Sequence, residues 1–170
     1  INVEHFVAHQ GDKMLKFQWA NLFYACGHCN NIKLDKYNTL LNCTTDSTIE
    51  TKIRYDINPF PKELPQFGAI DDSENTQQTV ELLSAIFNGT TPLKKLESAN
   101  LRKKLLTEIN LFRQVLEHYF DFKDAELIDD ANNLLPSIKL HINQTANFAS
   151  FKRWIIRNNE ALLVEFGQYL

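Results

Sequence analysis

The segment "FYACGHCNNIK" at 23–33 carries Cys26 and Cys29, two thiols three positions apart. Two chemistries use that spacing. A redox Cys-x-x-Cys sits at a helix N-terminus, where exposed amides favour the thiolate, inside a thioredoxin-like sheet. A metal knuckle uses the same tight turn to aim both sulfurs at one tetrahedral ion. The surrounding sequence favours the metal. Only 25 residues precede Cys26, which leaves little room for the strand and helix expected before a redox motif, and no βαβ pattern follows. A closed zinc site needs four ligands. His28 lies between the two sulfurs and is poorly placed, while Cys43 is a possible third ligand that lacks a paired neighbour. The simplest completion is a second Cys-x-x-Cys ahead of Ile1.

Composition narrows the setting for these residues. At 170 residues, 44% hydrophobic and 23% charged, the chain has enough apolar content to bury a core as one domain or two small ones. No apolar run long enough to span a bilayer and no signal-peptide pattern is present, so the expectation is a soluble, cytoplasmic protein without membrane contact. The net charge of −3 supplies no general attraction to nucleic acid; such binding would need a local basic patch or a metal. Three cysteines do not make a disulfide scaffold and fit a reducing compartment, so the Asn-x-Thr triplets at Asn42, Asn88 and Asn143 read as chance.

The elements that must position the cysteines follow from periodicity. Residues 1–7 are predicted as a strand, 11–16 as a loop, and 19–24 as a second strand running into Cys26; "NNIKLDKY" reads as a helix start. Ile49, Thr51, Ile53 and Tyr55 alternate with charged residues, the mark of a strand with one wet face. Pro59, Pro61 and Pro65 then make a connector. From about Ser73 the pattern turns helical: Thr76, Val80, Leu83 and Phe87 share a face that stops at Asn88-Gly89. Ser98 is placed to cap a longer helix whose stripe runs Leu101, Leu105, Ile109, Phe112, Leu116 and Tyr119. Shorter helices are expected near 125–135, 148–157 and 159–169. The fold class is therefore α+β, with a mixed segment at 1–60 and a mostly helical region at 73–170.

Around the cysteines lie further residues in a fixed order. Glu4-His5 ends the first strand, Asn21 opens the second, and Asn30 follows Cys29, with Lys33 three residues on. The ordered pattern "VEHF … WANLFYACGHCNNIK" resembles the HNH endonucleases, whose ββα-metal core carries the His on a strand, the Asn in the loop region and the last His or Asn on a helix. It looks most like the branch found beside ATPases in retron and Septu anti-phage defence systems. The likeness covers residues 3–33, and the interval of nine from Asn21 to Asn30 matches that of the motif, favouring Asn30 over Asn31. Two departures stand out. Ala8 occupies a position where that branch often has Pro, and a first Cys pair is not in view, which leaves the zinc site incomplete.

The resemblance implies a ββα-metal nuclease core at 1–60 acting on DNA, with RNA also open, beside an ATPase partner. His5 is then the general base, imidazole being the side chain that exchanges a proton nearest neutral pH. Glu4 and Asn30 supply oxygen ligands to a catalytic divalent ion, Mg²⁺ above all. Asn21 holds the loop carrying His5, Cys26 and Cys29 bind a structural Zn²⁺, and Lys33 and Lys36 contact phosphate. Blander readings attach to the remaining residues. His9, His28, His118 and His141 are exposed or packing histidines, Cys43 is a buried free thiol, Trp19 packs beneath the metal loop, Trp154 is core, and Arg102, Lys103 and Lys104 form a solvated face. Two other functions compete: a zinc-stabilised adaptor or nucleic-acid-binding module with an inactive site, and a thioredoxin-like disulfide oxidoreductase.

Overall fold

The computed structural model describes residues 2–59 and 61–170. Ile1, part of the expected first strand, and Phe60, inside the proline connector, lie outside the described residues. The architecture is α+β: two antiparallel pairs of strands and a majority of helix. The chain divides into two compact units, 1–101 and 102–170, whereas the sequence places its change of pattern between 60 and 73. Among the described residues no helix is long and apolar enough to cross a membrane.

In the first unit, β1 (Asn2–His5) pairs with β2 (Leu22–Ala25), Glu4 facing Phe23 and His5 facing Leu22. α2 (Gly27–Lys33) follows β2 directly and packs on β1. The connection between the strands is not the plain loop expected. Asp12 accepts hydrogen bonds from the amides of Met14 (2.8 Å) and Leu15 (3.3 Å), and so caps a short helix α1 (Lys13–Phe17). A 3-10 turn at Trp19–Asn21 takes up the first half of the expected second strand.

Farther on, the alternating segment divides. Its first residues form α3 (Ile49–Lys52), and only the rest, with its continuation, makes β3 (Ile53–Asn58). The proline segment is more than a connector. β4 (Leu64–Ala69) returns along β3, and Pro65 stands buried opposite Ile57. In a two-stranded sheet every strand is an edge, so the amide that proline lacks can fall on the side where no ladder bond is needed. α4 (Glu74–Asn88) packs on β4; Ser73 caps it, and Thr76, Leu82, Ala85, Ile86 and Phe87 are buried. Gly89 ends it at φ +71°, where a Cβ would stand 2.4 Å from the Lys95 amide nitrogen. Only glycine fits that turn.

α5 (Pro92–Asp124) starts well before Ser98, which is not its cap. The Ser98 hydroxyl lies inside the helix and donates to the Ile86 carbonyl at 2.7 Å. The rest of α5 supplies the second unit, where Phe112, Leu116 and Tyr119 form a core with α6 (Ile128–Ile142), α7 (Ala149–Arg157) and α8 (Glu160–Phe166). α6 continues past Pro136, where the sequence ends it near 135. Pro136 is exposed, as is Asn132 four residues earlier, so the carbonyl that loses its amide partner can meet water while Ile138 and Ile142 stay buried. Trp154 is half-buried rather than core.

Three polar ties brace this second core. Lys152, 1% exposed, donates to Glu108 at 2.9 Å and to His141 Nδ1 at 3.3 Å. Lys123 donates to Glu165 at 2.7 Å, and the Tyr119 hydroxyl donates to the same carboxylate. Lys152 and then Asn147 hold the Glu108 carboxyl below its ordinary 4.5, and Lys123 and then Tyr119 do the same for Glu165. Groups whose folded pKa is depressed stabilise above the unfolded value and lose that contribution as pH falls through the folded one. The melting temperature should therefore drop as pH is lowered from about 5 to about 3. Glu108→Gln should start lower and show a shallower acid decline, measured by thermal unfolding across that range.

Candidate active site

In the first unit one buried amide braces the chain that follows His5. Asn21 is 5% exposed, and its side chain is fully engaged with backbone. Oδ1 accepts from the Val7 amide at 2.7 Å, while Nδ2 donates to the carbonyls of Val7 (2.9 Å) and Leu15 (3.2 Å). Its own carbonyl accepts from the Phe6 amide at 2.8 Å. One residue thus ties the chain just after His5 to the end of the connection before β2. An amide can do this because it carries donors and an acceptor on one planar group.

His5 is held from the same side. Its Nε2 lies 3.0 Å from the Lys16 carbonyl, and because a carbonyl only accepts, Nε2 carries the hydrogen. In the neutral ring Nδ1 then presents the lone pair. The His9 ring packs edge-on at 4.7 Å between centroids, and His9 Nδ1 accepts from the Gly11 amide at 3.1 Å. His9 is a packing residue, as expected.

Glu4 takes a different direction, as adjacent strand residues do. Its Oε1 pairs with Lys33 Nζ at 3.0 Å. The Lys33 ammonium also donates to the carbonyls of His5 (2.8 Å) and Leu34 (3.3 Å), which uses its three hydrogens. Lys33 is buried and spent inside the fold, so the phosphate contact assigned to it is corrected: it is a strut between α2 and β1. Lys36 is exposed, with its ammonium 4.9 Å from the centre of the Tyr37 ring, and stays free to meet an anion.

Asn30 lies three residues before Lys33 and so shares the helix face that Lys33 turns to β1. Its backbone is helical, its side chain is half-buried, and no hydrogen bond engages the side-chain amide among the described residues. Asn31 is exposed. Among the described residues no hydrogen bond joins the His5 imidazole to Glu4 or to Asn30. What draws the set together is backbone: β1 carries His5 and Glu4, and α2 lies on β1 through Lys33.

A Mg²⁺ ion takes oxygen donors, needs only one or two from protein and keeps waters for the rest. Oε2 of Glu4 and the Asn30 amide oxygen, which have no hydrogen bond among the described residues, are of the donor type such an ion takes. The zinc site is a half-match. Cys26 caps α2, its sulfur accepting from the Cys29 amide at 3.3 Å, and the two sulfurs lie 3.2 Å apart. Two sulfurs on a tetrahedral zinc lie about 3.8 Å apart, so binding would part them by about half an ångström. Burial opposes the Cys26 thiolate, yet the Cys29 amide and thiol outweigh it and lower the pKa from 9.0. Burial first, and then the Cys26 sulfur, push Cys29 up to about 12. Among the described residues no group of three His, Cys, Asp or Glu side chains could hold an ion. His28 is withdrawn from the contest: Nδ1 meets Glu97 at 2.9 Å and Nε2 meets the Ile86 carbonyl at 2.8 Å. Cys43 is exposed, not the buried thiol expected, and Trp19 is 85% exposed rather than packed beneath the metal loop.

No family model, no curated protein and no solved structure matches this chain.

Removing the central amide should be costly. Asn21→Ala leaves three backbone groups without partners in a buried place, and should destabilise the first unit by about 2–3 kcal/mol in denaturant unfolding. Lys33→Ala should lower stability as well, because it strands Glu4 and the His5 carbonyl. If Lys33 were a phosphate contact, its loss would leave the melting curve unmoved.

Proposed function

We propose that the chain is a metal-dependent endonuclease of the HNH type, hydrolysing phosphodiester bonds in DNA or RNA. The observation that carries this reading is the Asn21 clamp: the asparagine nine positions before Asn30 hydrogen-bonds both backbone groups of Val7, two residues after His5. Further support comes from the order β1, β2, α2, with His5 ending the first strand and Asn30 on the helix.

In this reading His5 Nδ1 accepts the proton of the attacking water, since Nε2 is committed to Lys16. The carbonyl on the far nitrogen steadies the ring. Asn21 keeps the imidazole where it is by holding both backbone segments that flank it. Glu4 and Asn30 would hold a divalent ion through oxygen. When bound, the ion supplies positive charge against the phosphoryl oxygens and the leaving 3′ oxygen. Lys36 supplies a phosphate contact that positions without reading sequence. Cys26 and Cys29 would hold zinc as half of a structural site. With a net charge of −3 the chain has little general affinity for polyanions, which supports recruitment by a partner, an ATPase in an anti-phage system by the resemblance stated above.

One observation favours a second reading. Glu4 is already ion-paired with Lys33, as expected of an adaptor module whose catalytic site has gone silent. Plasmid nicking separates the two. The intact chain with Mg²⁺ should nick, and His5→Ala should lower the rate by about 10²- to 10⁴-fold with its melting curve retained. Equal rates in both proteins would remove His5 as the base, and no nicking by either would favour the adaptor. The cysteines have their own test. As zinc ligands they should react with an alkylating agent only after a chelator is added; rapid reaction of Cys26 beforehand would favour the redox pair.

A further inference from the structure

The connection between β1 and β2 exposes aromatic surface that the proposed chemistry has not used. Only Leu15 of α1 turns even partly inward, toward the Asn21 amide that binds its carbonyl. Met14 is 84% exposed, Phe17 73% and Trp19 85%. A small helix gains nothing in water by displaying its largest apolar side chains, so the display calls for a partner.

The chemistry around the rings says which kind. Lys13 and Lys16 stand on the same short helix, and the Lys16 ammonium lies 5.5 Å from the centre of the Phe17 ring. The single carboxylate beside them, Asp12, is occupied by the two amides it caps. Exposed rings interleaved with cations match a nucleic-acid strand, whose bases present flat apolar faces while its phosphates present charge. The location matches too. The Lys16 carbonyl binds the His5 ring, and Trp19, three residues along, has its Cα no more than about 11 Å from that of Lys16. A base stacked there belongs to the same strand as a phosphate offered to His5.

Resting on the nuclease reading, we propose that Phe17 and Trp19 form a stacking platform for unpaired bases, so that the substrate engaged beside His5 is single-stranded or locally opened nucleic acid. A paired base hides its faces in the duplex and cannot stack on these rings without being freed. The platform selects for strand state, not for sequence, because every base has a face to offer.

The test uses the whole chain without added Mg²⁺, so that binding is read apart from cleavage. A single-stranded oligonucleotide should quench tryptophan fluorescence and bind about tenfold more tightly than a duplex of equal length. Trp19→Ala and Phe17→Ala, both at exposed sites, should keep the fold by circular dichroism and each lose about tenfold in affinity for the single strand. The Trp19→Ala protein should also lose the quench, since Trp154 is the only other tryptophan. Unchanged affinity in both variants, a duplex bound as tightly as the strand, or no binding at all would overturn the platform; the last result points to a protein partner on this surface. Failure of the nuclease reading is distinct: quenching by the single strand with no Mg²⁺-dependent nicking would reject the enzyme and keep the platform.

Discussion

The side chain of Asn21 is the constraint on which the first unit turns. A connection of sixteen residues between two four-residue strands has many conformations open to it, and a two-stranded sheet is too small to choose among them. The amide chooses by satisfying Val7 on both its N–H and its C=O while reaching Leu15. These half-buried backbone groups would otherwise lose their partners, at about 1 kcal/mol each. With that clamp closed, the carbonyl next to Leu15, that of Lys16, comes to the His5 ring, and the tautomer of the imidazole follows.

The second constraint is the buried ammonium of Lys33. Its three hydrogens meet a carboxylate and two carbonyls, so the buried charge is paired and hydrogen-bonded. This ties α2 to β1 at the residue where both Glu4 and His5 meet the helix. Asn30 lies on the same helix, one turn before Lys33. Among the described residues no hydrogen bond engages the Asn30 side-chain amide or the Nδ1 of His5, and the nuclease proposal assigns its chemistry to these two groups.

Much of this was legible in the residues, and the failures have physical causes. α4 lies where its apolar spacing put it, although Leu82, Ala85 and Ile86 are buried in place of Val80 and Leu83; helices also stand near the three later stretches expected to be helical. α3 was not legible, since Ile49 to Lys52 alternates as a strand would and a single helical turn is decided by its surroundings. β4 was hidden by Pro65, which reads as a breaker until its partner strand is known to be the only one. Ser98 has the chemistry of a cap yet serves to tie its helix to the end of α4. Among the site residues, the loop-holding part of Asn21 came from the family resemblance, and the hydrogen bonds of its amide to Val7 and Leu15 agree with it. The employment of Lys33 was not readable, because a lysine on a short helix looks the same in sequence whether it faces phosphate or a buried carboxylate. The expectation for Trp19 rested on the general tendency of tryptophan to be buried, and Trp19 departs from it, 85% exposed in a short connection.

The central claim is that the imidazole at position 5 and the amide at position 30 serve one divalent ion. Substoichiometric Mn²⁺ added to isotope-labelled protein tests it directly, through the paramagnetic broadening of side-chain resonances. The account predicts that the His5 ring and the Asn30 side-chain amide broaden together, at the lowest Mn²⁺ levels and ahead of other histidines and asparagines. Broadening of either without the other, or of neither, would contradict it.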